Sequence, residues 1–392
     1  MRILSLGTYP IQLPIHGGQR RVAALCRQLR KTGHHVTYVS AFSEGAYASS
    51  VTGPLDYSVP AIADQLGGGW ASDVAAGEYC ASNDTAYAHF MSIADAIRPD
   101  VIMLESPFLF PLALKLNNDL GAKAALVYSS HNVEAPLKQD VLRAAGVAPK
   151  TIAKIVAKVD DTERKLVASS SLILAVSNSD AATYASWNKS TSVAVYPNGV
   201  DRPQRADVQR PDTLPNPYVS FVGSAHIPNR DGFINLVLGD GLQFLPPEKS
   251  MAVVGGVSEL IYSHGAFQKR VTSNCDRVQF YPNASDRDLS QILGHSAGIL
   301  LPIETGGGTN LKTAEALISG KWVIGTDQAF RGYEGFMKDP SVIIAKSRAD
   351  FVAAMRKVLK EPAPSLQLIH MQKRQEVLWD NILADLNFEK YL

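Results

Sequence analysis

Between Gly298 and Phe330 the sequence reads GILLPIETGGGTNLKTAEALISGKWVIGTDQAF. The apolar run Ile299 to Leu301 has the character of a buried strand. Three glycines, Gly306, Gly307 and Gly308, follow it, then Thr309 and Asn310. Leu311 to Ser319 places Leu311, Ala314, Leu317 and Ile318 on one helical side, Gly320 ends the helix in a left-handed cap, and Trp322 to Gly325 reads as the next strand. Glycines let a backbone approach a ligand, and a helix start offers free N–H groups to an anion. The chemistry is that of a phosphate cradle in a parallel α/β domain. A tight turn with no ligand has the same local pattern. Two familiar phosphate fingerprints do not fit: there is no GxxxxGK[ST], and no G-x-G-x-x-G closely following an N-terminal strand with an acid about 20 residues on.

Two further places could do chemistry. A loop from Thr8 to Gly18 separates a first strand, Ile3 to Leu6, from a helix, Gln19 to Lys31, and brings Gly17 and Gly18 to the strand's C-terminal side. There they face a ligand or only shape the loop. His131 follows the strand Ala124 to Ser129 within SSHNVE. Histidine exchanges a proton near neutral pH, so His131 is a candidate for the reacting centre. The alternative is a local cap or loop hydrogen bond. Glu105, Ser106 and Pro107 end the strand Val101 to Leu104, another place for a site residue.

The elements that carry these residues form two successive α/β halves. In the first, Val22, Leu25, Cys26 and Leu29 share one face of the opening helix. Val36 to Ser40 is the second strand. Residues 43–84, rich in Ser, Gly, Ala and Asp, read as a variable or mobile insertion. Helices are expected over Thr85 to Ile97, Phe108 to Leu116 and Val147 to Leu166, with strands at Leu172 to Val176 and Val193 to Val195. Ser177 and its neighbours cap a helix start. The prolines and polar residues of Asp201 to Pro217 mark a linker. A fresh pattern opens at Tyr218 to Val222 and continues through Ser250 to Val254, Val278 to Phe280, the opening stretch and Val342 to Ala345. Its expected helices are Phe233 to Leu238, Glu259 to Gln268, Ser285 to Leu293, Ala349 to Leu359 and Gln367 to Leu386. Several of its strand ends carry small residues: Gly223, Gly255, Gly256 and Gly306 to Gly308. One ligand there would meet all of them.

Composition agrees. A chain of 392 residues exceeds what one core usually supports, and 46% hydrophobic residues suffice for two. A formal charge of +1 argues against a broad nucleic-acid surface. Cys26, Cys80 and Cys275 are too scattered for a disulfide framework or a cysteine zinc site, which fits a reducing, cytoplasmic setting. No run of apolar residues is long enough to span a bilayer, and MRILSLGTYP reads as a first strand, not a signal peptide. Arg20, Arg21, Arg27, Arg30 and Lys31 make the first helix basic. A solvated face explains this; contact with anionic lipid or a phosphorylated acceptor is the other reading.

These motifs together resemble the retaining, nucleotide-sugar-dependent glycosyltransferases of the GT-B fold, in the large family 4 group. The resemblance runs through GTYP…HGGQRR, SSHNVE, LAVSNSD, YPNGVD, FVGSAHIPNRDG and LPIETGGGTNLKTAEALISGKWVIGT. The last resembles the GGGTRLKxxEAxxxG form of the family's donor-site signature. The resemblance implies two Rossmann-like domains facing each other across a cleft. Residues 1–205 would take the acceptor, 206–217 would link, 218–366 would hold the donor, and the helix in 367–392 would pack back on the first domain. It implies that Glu315 hydrogen-bonds the donor ribose and that Thr309, Asn310 and Leu311, beside Gly307 and Gly308, approach the diphosphate. Gly17 and Gly18 would close over the diphosphate and sugar. Ser224, Arg230, Gly255 and Tyr281 complete the implied donor site, with the Phe280 to Pro282 stretch towards the base. His131, Gly18 and Arg230 form the implied catalytic set, His131 positioning or stabilising the transferred sugar without acting as a nucleophile.

Two departures qualify this. The family's first donor-site glutamate falls at Gly307, with Glu304 the nearest carboxylate. The Arg and Lys that usually neutralise the diphosphate fall near Ser224 and Asp231, leaving Arg230 one residue out of register and Lys269, Arg270 or Lys312 as substitutes. With no DxD-type motif, the reaction is expected to need no metal and no cofactor beyond the nucleotide-sugar co-substrate. The implied partners are that donor and a glycan, lipid-linked or small-molecule acceptor, with peripheral contact at the inner face of the cytoplasmic membrane if the acceptor is lipid-linked. Cell-surface polysaccharide or lipopolysaccharide synthesis is the implied setting. A catalytically silent GT-B binding or assembly protein and a nucleotide-sugar epimerase are the alternatives.

Overall fold

In the computed structural model the fold is described for residues 1–61, 69–202, 213–214, 217–305, 309–364 and 368–391. The chain divides into two compact units, Met1–Pro197 with Ile382–Leu392, and Asn198–Asn381.

The first unit runs β1 (Arg2–Gly7), α1 (Gly17–Lys31), β2 (His35–Ser43), β3 (Tyr57–Val59), α2 (Ser72–Ser82), α3 (Asp84–Ile97), β4 (Val101–Leu104), α4 (Phe110–Asp119), β5 (Ala125–Ser129), α5 (Glu134–Ala144), α6 (Pro149–Ser169), β6 (Leu172–Ala175), α7 (Asn178–Trp187) and β7 (Ser192–Val195). Its strands form one sheet in the order β3-β2-β1-β4-β5-β6-β7, parallel throughout. Every residue of β4 and β6 is buried. Helices cover both faces of such a sheet, so its central strands are apolar runs without alternation.

The second unit repeats the scheme with β8 (Val219–Val222), α8 (Ile227–Gly232), β9 (Met251–Val254), α9 (Val257–Tyr262), α10 (Gly265–Gln268), α11 (Val271–Cys275), β10 (Val278–Tyr281), α12 (Asp286–His295), β11 (Gly298–Leu301), α13 (Leu311–Ile318), β12 (Trp322–Gly325), β13 (Val342–Ile344), α14 (Arg348–Val358) and α15 (Leu368–Gln375). A last helix, α16 (Trp379–Ile382), ends at the division between the units. The sheet order is β10-β9-β8-β11-β12-β13, again all parallel. In each unit the strand order reverses once, between β1 and β4 and between β8 and β11. The crevice outside the strand C-termini at such a point is where doubly wound sheets bind ligands.

The structure corrects four expectations. Residues 43–84 are not simply an insertion: β3 extends the sheet and α2 packs beneath it. At Gly77 a Cβ would lie 1.9 Å from the Phe108 carbonyl oxygen, so α2 sits closer than any other residue allows. A helix missing from the sequence reading, α5, follows His131, its Pro136 accommodated in the first turn. The expected helix Glu259 to Gln268 is two, α9 and α10, with the His264 side chain capping the second. The expected helix Gln367 to Leu386 is likewise broken. Val377 carbonyl accepts from Val200 N–H and Trp379 N–H donates to Val200 carbonyl, both at 3.0 Å, so this backbone is spent on a bridge and cannot continue a helix. Residues 368–381 belong to the second unit and Ile382–Leu392 to the first. Among the described residues no helix is long and apolar enough to cross a membrane.

Candidate functional site

The first unit gathers polar residues at the reversal between β1 and β4. The loop after β1 is organised by Gln19, a buried residue of α1. Its Nε2 donates to the Pro10 carbonyl at 2.8 Å, and its Oε1 accepts from Ile15 N–H at 2.8 Å and His16 N–H at 3.3 Å. His16 caps α1 in return, its Nδ1 accepting from Gln19 N–H. The same loop presents Tyr9, whose carbonyl accepts from Tyr38 Oη at 2.6 Å. Two glycines leave room for these phenols. A Cβ at Gly7 would lie 2.2 Å from the Tyr38 hydroxyl, and one at Gly18 would lie 2.7 Å from the Tyr9 hydroxyl.

Tyr9 leads to His131. Its hydroxyl is 3.4 Å from His131 Nε2, and the rings meet edge to face at 6.3 Å. Glu105, at the end of β4, approaches the same nitrogen at 3.8 Å. Burial lowers the pKa of His131, Glu105 works against that, and Arg21 adds to the lowering. His16 is lowered too, by burial, then by His131 and Arg20. Arg21 is fully buried and donates to the carbonyls of Tyr196 and Pro197 at 2.8 and 3.4 Å.

A second buried network fixes the loop that carries His131. Glu163 of α6 accepts from Tyr128 Oη at 2.8 Å and from Tyr184 Oη at 3.0 Å through Oε1, and from Glu134 N–H at 2.9 Å through Oε2. Tyr184 Oη also lies 2.8 Å from the Asn132 carbonyl and 2.6 Å from Ser130 Oγ. Residues 130–134 are thus held on both sides of His131. Burial pushes the Glu163 carboxyl up to about 7, its hydrogen bonds acting against that, and pushes Glu134 up to about 8, with Glu163 adding to the rise.

In the second unit, the reversal lies between Gly223 at the end of β8 and the turn before α13. Asn310 caps α13, its Oδ1 accepting from Lys312 N–H at 3.1 Å. Thr309 is clamped to Asn198: its Oγ1 accepts from Asn198 N–H at 3.0 Å and its carbonyl accepts from Asn198 Nδ2 at 3.1 Å. Tyr333 Oη in turn donates to the Asn198 carbonyl. Lys312 points across the reversal and donates from Nζ to Asn229 Oδ1 at 2.6 Å, while Asn229 Nδ2 donates to the Ser224 carbonyl at 3.1 Å. Burial brings the Lys312 ammonium down to about 8, Glu315 opposing it. His226 is lowered by burial and by Lys312. The first turn of α13 has no acidic residue. The helix N-terminus and the lysine therefore add positive potential at one place, an arrangement an anion relieves.

The residues expected from sequence distribute as follows. Gly17 and Gly18 open α1 in the first unit, and Gly18 and His131 both border the Tyr9 hydroxyl. Ser224, Thr309, Asn310, Leu311 and Glu315 surround the reversal of the second. Arg230 turns to Asp231, with Nε–H donating at 2.8 Å, and of the substitute cations Lys312 is the one at the reversal. Glu304 accepts from Asn235 Nδ2 at 2.8 Å. Gly255 has φ +91°, and a Cβ there would lie 2.5 Å from the Gly223 carbonyl oxygen, so its lack of side chain serves packing of β8 against the end of β9. Tyr281 ends the edge strand β10 and shares a 2.6 Å hydrogen bond with Thr213, and Phe280 packs on Tyr262 and Phe267. Gly307 and Gly308, with Gly306, lie outside the described residues. Among the described residues no three of His, Cys, Asp and Glu gather as metal ligands would. Sequence reading missed Tyr9, Asn229 and His226. The tripeptide TYP hinted at the first, and the other two lie within FVGSAHIPNRDG, where no spacing singles them out.

Residues 15–203 match the model of Glycosyltransferase Family 4. Solved structures match both units together. Sucrose-phosphate synthase from Thermosynechococcus elongatus is 15% identical with TM-score 0.67, over 98% of this chain and 97% of its own. The chain has a two-domain, Rossmann-like GT-B fold. The lipopolysaccharide outer core galactosyltransferase WaaB, in its apo form, is similar at 13% identity and TM-score 0.61, over 100% of this chain and 99% of its own. HepE of Anabaena in complex with UDP and glucose is similar at 13% identity and TM-score 0.60, over 100% and 95%. A search of curated proteins found no match. The Family 4 match covers Gly17, Gly18 and His131, while the second unit's reversal is placed by the fold.

Proposed function

We propose that the chain is a glycosyltransferase that moves a sugar from a nucleotide-sugar donor to a hydroxyl acceptor with retention of anomeric configuration. The observation that carries this reading is the cationic reversal of the second unit, where Lys312, the capped start of α13 and Glu315 lie within one turn of helix. In this reading Lys312 and the α13 N–H groups stabilise the diphosphate as it leaves, and Glu315 accepts from the donor ribose. Lys312 thereby replaces the cations missing at Ser224 and Asp231. His131 addresses the transferred sugar, and Gly18 keeps the loop near it narrow. In this reading the sugar–phosphate bond breaks as the acceptor oxygen attacks from the same face, and the acceptor's hydroxyl proton passes to the departing diphosphate oxygen. No resident metal is assigned.

UDP is the first base to test, because the similar HepE structure holds UDP and glucose. The acceptor is a glycan, lipid-linked or small hydroxyl compound, and the setting is cytoplasmic glycoconjugate synthesis. The chain would be incubated with UDP, GDP, ADP, TDP and CMP sugars, with nucleotide release and product anomer read by NMR. Binding by none of these nucleotides would overturn the reading; an inverted product would overturn retention; loss of transfer in EDTA would overturn metal independence. A silent binding protein is the second reading, favoured by the glycine at 307 and by Arg230's pairing with Asp231. Acceptor-dependent nucleotide release rejects it.

A further inference from the structure

We propose that Glu105 is a positioning residue for His131: its buried carboxylate selects the imidazole tautomer with the proton on Nε2 and leaves Nδ1 as the acceptor nitrogen. The consequence for transfer rests on the reading that His131 addresses the sugar. Glu105 is 1% exposed and follows β4 directly. Its Oε1 accepts from Ser5 Oγ at 2.8 Å, which fixes the rotation of the carboxylate. Its Oε2 has no hydrogen-bond partner among the described residues and lies 3.8 Å from His131 Nε2. A buried acceptor without a donor is costly, and the imidazole is the group positioned to supply one.

Nε2 also lies 3.4 Å from the Tyr9 hydroxyl, so both tautomers must be weighed. With Nε2 bare, the phenol donates to it, and Oε2 faces a lone pair. With Nε2 protonated, the N–H points at the carboxylate and the phenol oxygen stays available as an acceptor. The second arrangement removes the repulsion at Oε2. A separation of 3.8 Å exceeds a hydrogen bond, so the carboxylate acts on the Nε2–H as a charge on a dipole. Neutral imidazole has one donor and one acceptor nitrogen, so Nδ1 becomes the acceptor, suited to a sugar hydroxyl.

The charged and titratable groups facing the ring are Glu105 after β4, Tyr9 in the loop after β1, and His16 and Arg21 at α1. Burial and Arg21 favour neutral His131, and Glu105 alone among these favours the cation. Replacing Glu105 with Gln therefore lowers the midpoint of His131.

The test is NMR on the full chain with 13C and 15N in histidine, His131 being assigned by the signal lost in His131→Asn. We expect the Nε2–H tautomer in the unmodified chain. In Glu105→Gln the midpoint falls by about one pH unit, the size expected for a carboxylate this close. A midpoint that stays put, or an Nδ1–H tautomer in the unmodified chain, overturns the proposal. If Glu105→Gln does not fold, the tautomer decides alone, and Glu105→Asp, which withdraws the carboxylate, repeats the midpoint test. In turnover, Glu105→Gln should lower kcat by about tenfold with donor KM unchanged. A chain that transfers no sugar would defeat the glycosyltransferase reading but leave the NMR result to stand or fall by itself.

Discussion

Lys312 Nζ donates to Asn229 Oδ1 at 2.6 Å and so joins α13, the helix after β11, to α8, the helix after β8. A lysine in the first turn of a helix opposes the macrodipole. Its nearest acceptor here is a neutral amide, which an anion would displace. Lys312→Met should weaken nucleoside diphosphate binding roughly ten- to a hundredfold, the size of one charge-assisted hydrogen bond. Calorimetric titration measures this, and an unchanged Kd would remove Lys312 from the site.

The same lysine gives two pH dependences of opposite sign. Burial brings its pKa down to about 8, so the free protein loses this charge as pH rises through that value. Diphosphate affinity should fall above pH 8 in the unmodified chain, and Lys312→Met should lack that limb. Stability of the free protein should move the other way. The unfolded lysine binds its proton up to about pH 10.4, so between 8 and that value the unfolded state holds more protons and stability rises with pH. Denaturant titrations of both chains from pH 7 to 10 compare the slopes.

Gly232 makes a prediction about packing. Its φ is ordinary, but a Cβ there would lie 1.9 Å from the Pro302 carbonyl oxygen, a backbone atom that cannot step aside cheaply. Gly232→Ala should cost about 1–3 kcal/mol or more and displace the chain entering the turn before α13. A melting temperature equal to that of the unmodified chain would show that α8 can move away without loss.

How far the sequence disclosed this molecule depends on the range of each interaction. Strands buried on both faces are short apolar runs, so Val101–Leu104 was read to the residue, and Ser177 and Ser285 marked helix starts through their own side chains. Elements that bury little were lost. Of the residues of β3 only Val59 is buried, and α2 packs through Val74, Ala76, Gly77 and Cys80, small residues that carry no helical stripe. The site was half legible. SSHNVE and GGGTNLK pointed to His131 and α13. The pairings that give those residues their properties span a hundred positions or nearly so: Ser5 with Glu105, Tyr9 with His131, Asn229 with Lys312. No local pattern records such contacts.

Glu134 supplies a stability test. Burial, with Glu163 nearby, pushes its carboxyl up to about 8, far above the unfolded value near 4.3. Between those values the folded state binds the extra proton, so stability is greatest at the acid end and declines as pH rises. Glu134→Gln should flatten that decline between about pH 4 and 8 while leaving stability near pH 4 almost unchanged. A pH profile parallel to that of the unmodified chain would refute the assignment.

Thr309 joins the turn before α13 to Asn198. Thr309→Val keeps the shape and removes the oxygen that accepts from the buried Asn198 N–H. The orphaned donor should cost about 1–3 kcal/mol, and hydrogen exchange at Asn198 should quicken. Thr309→Ser should restore both. Equal exchange in all three chains would show that the Asn198 amide is protected by other means.

Gly18 with Tyr9, and Gly7 with Tyr38, behave as two matched pairs in which a phenol oxygen occupies the volume a methyl group would take. Each pair is a unit of inheritance. A larger residue at 18 is tolerable only alongside a smaller one at 9, and the single changes should be harmful in either order while the double change is milder. In any descendant that keeps this loop, positions 9 and 18 should drift together, which makes them a marker for tracing which relatives retain the same geometry around His131.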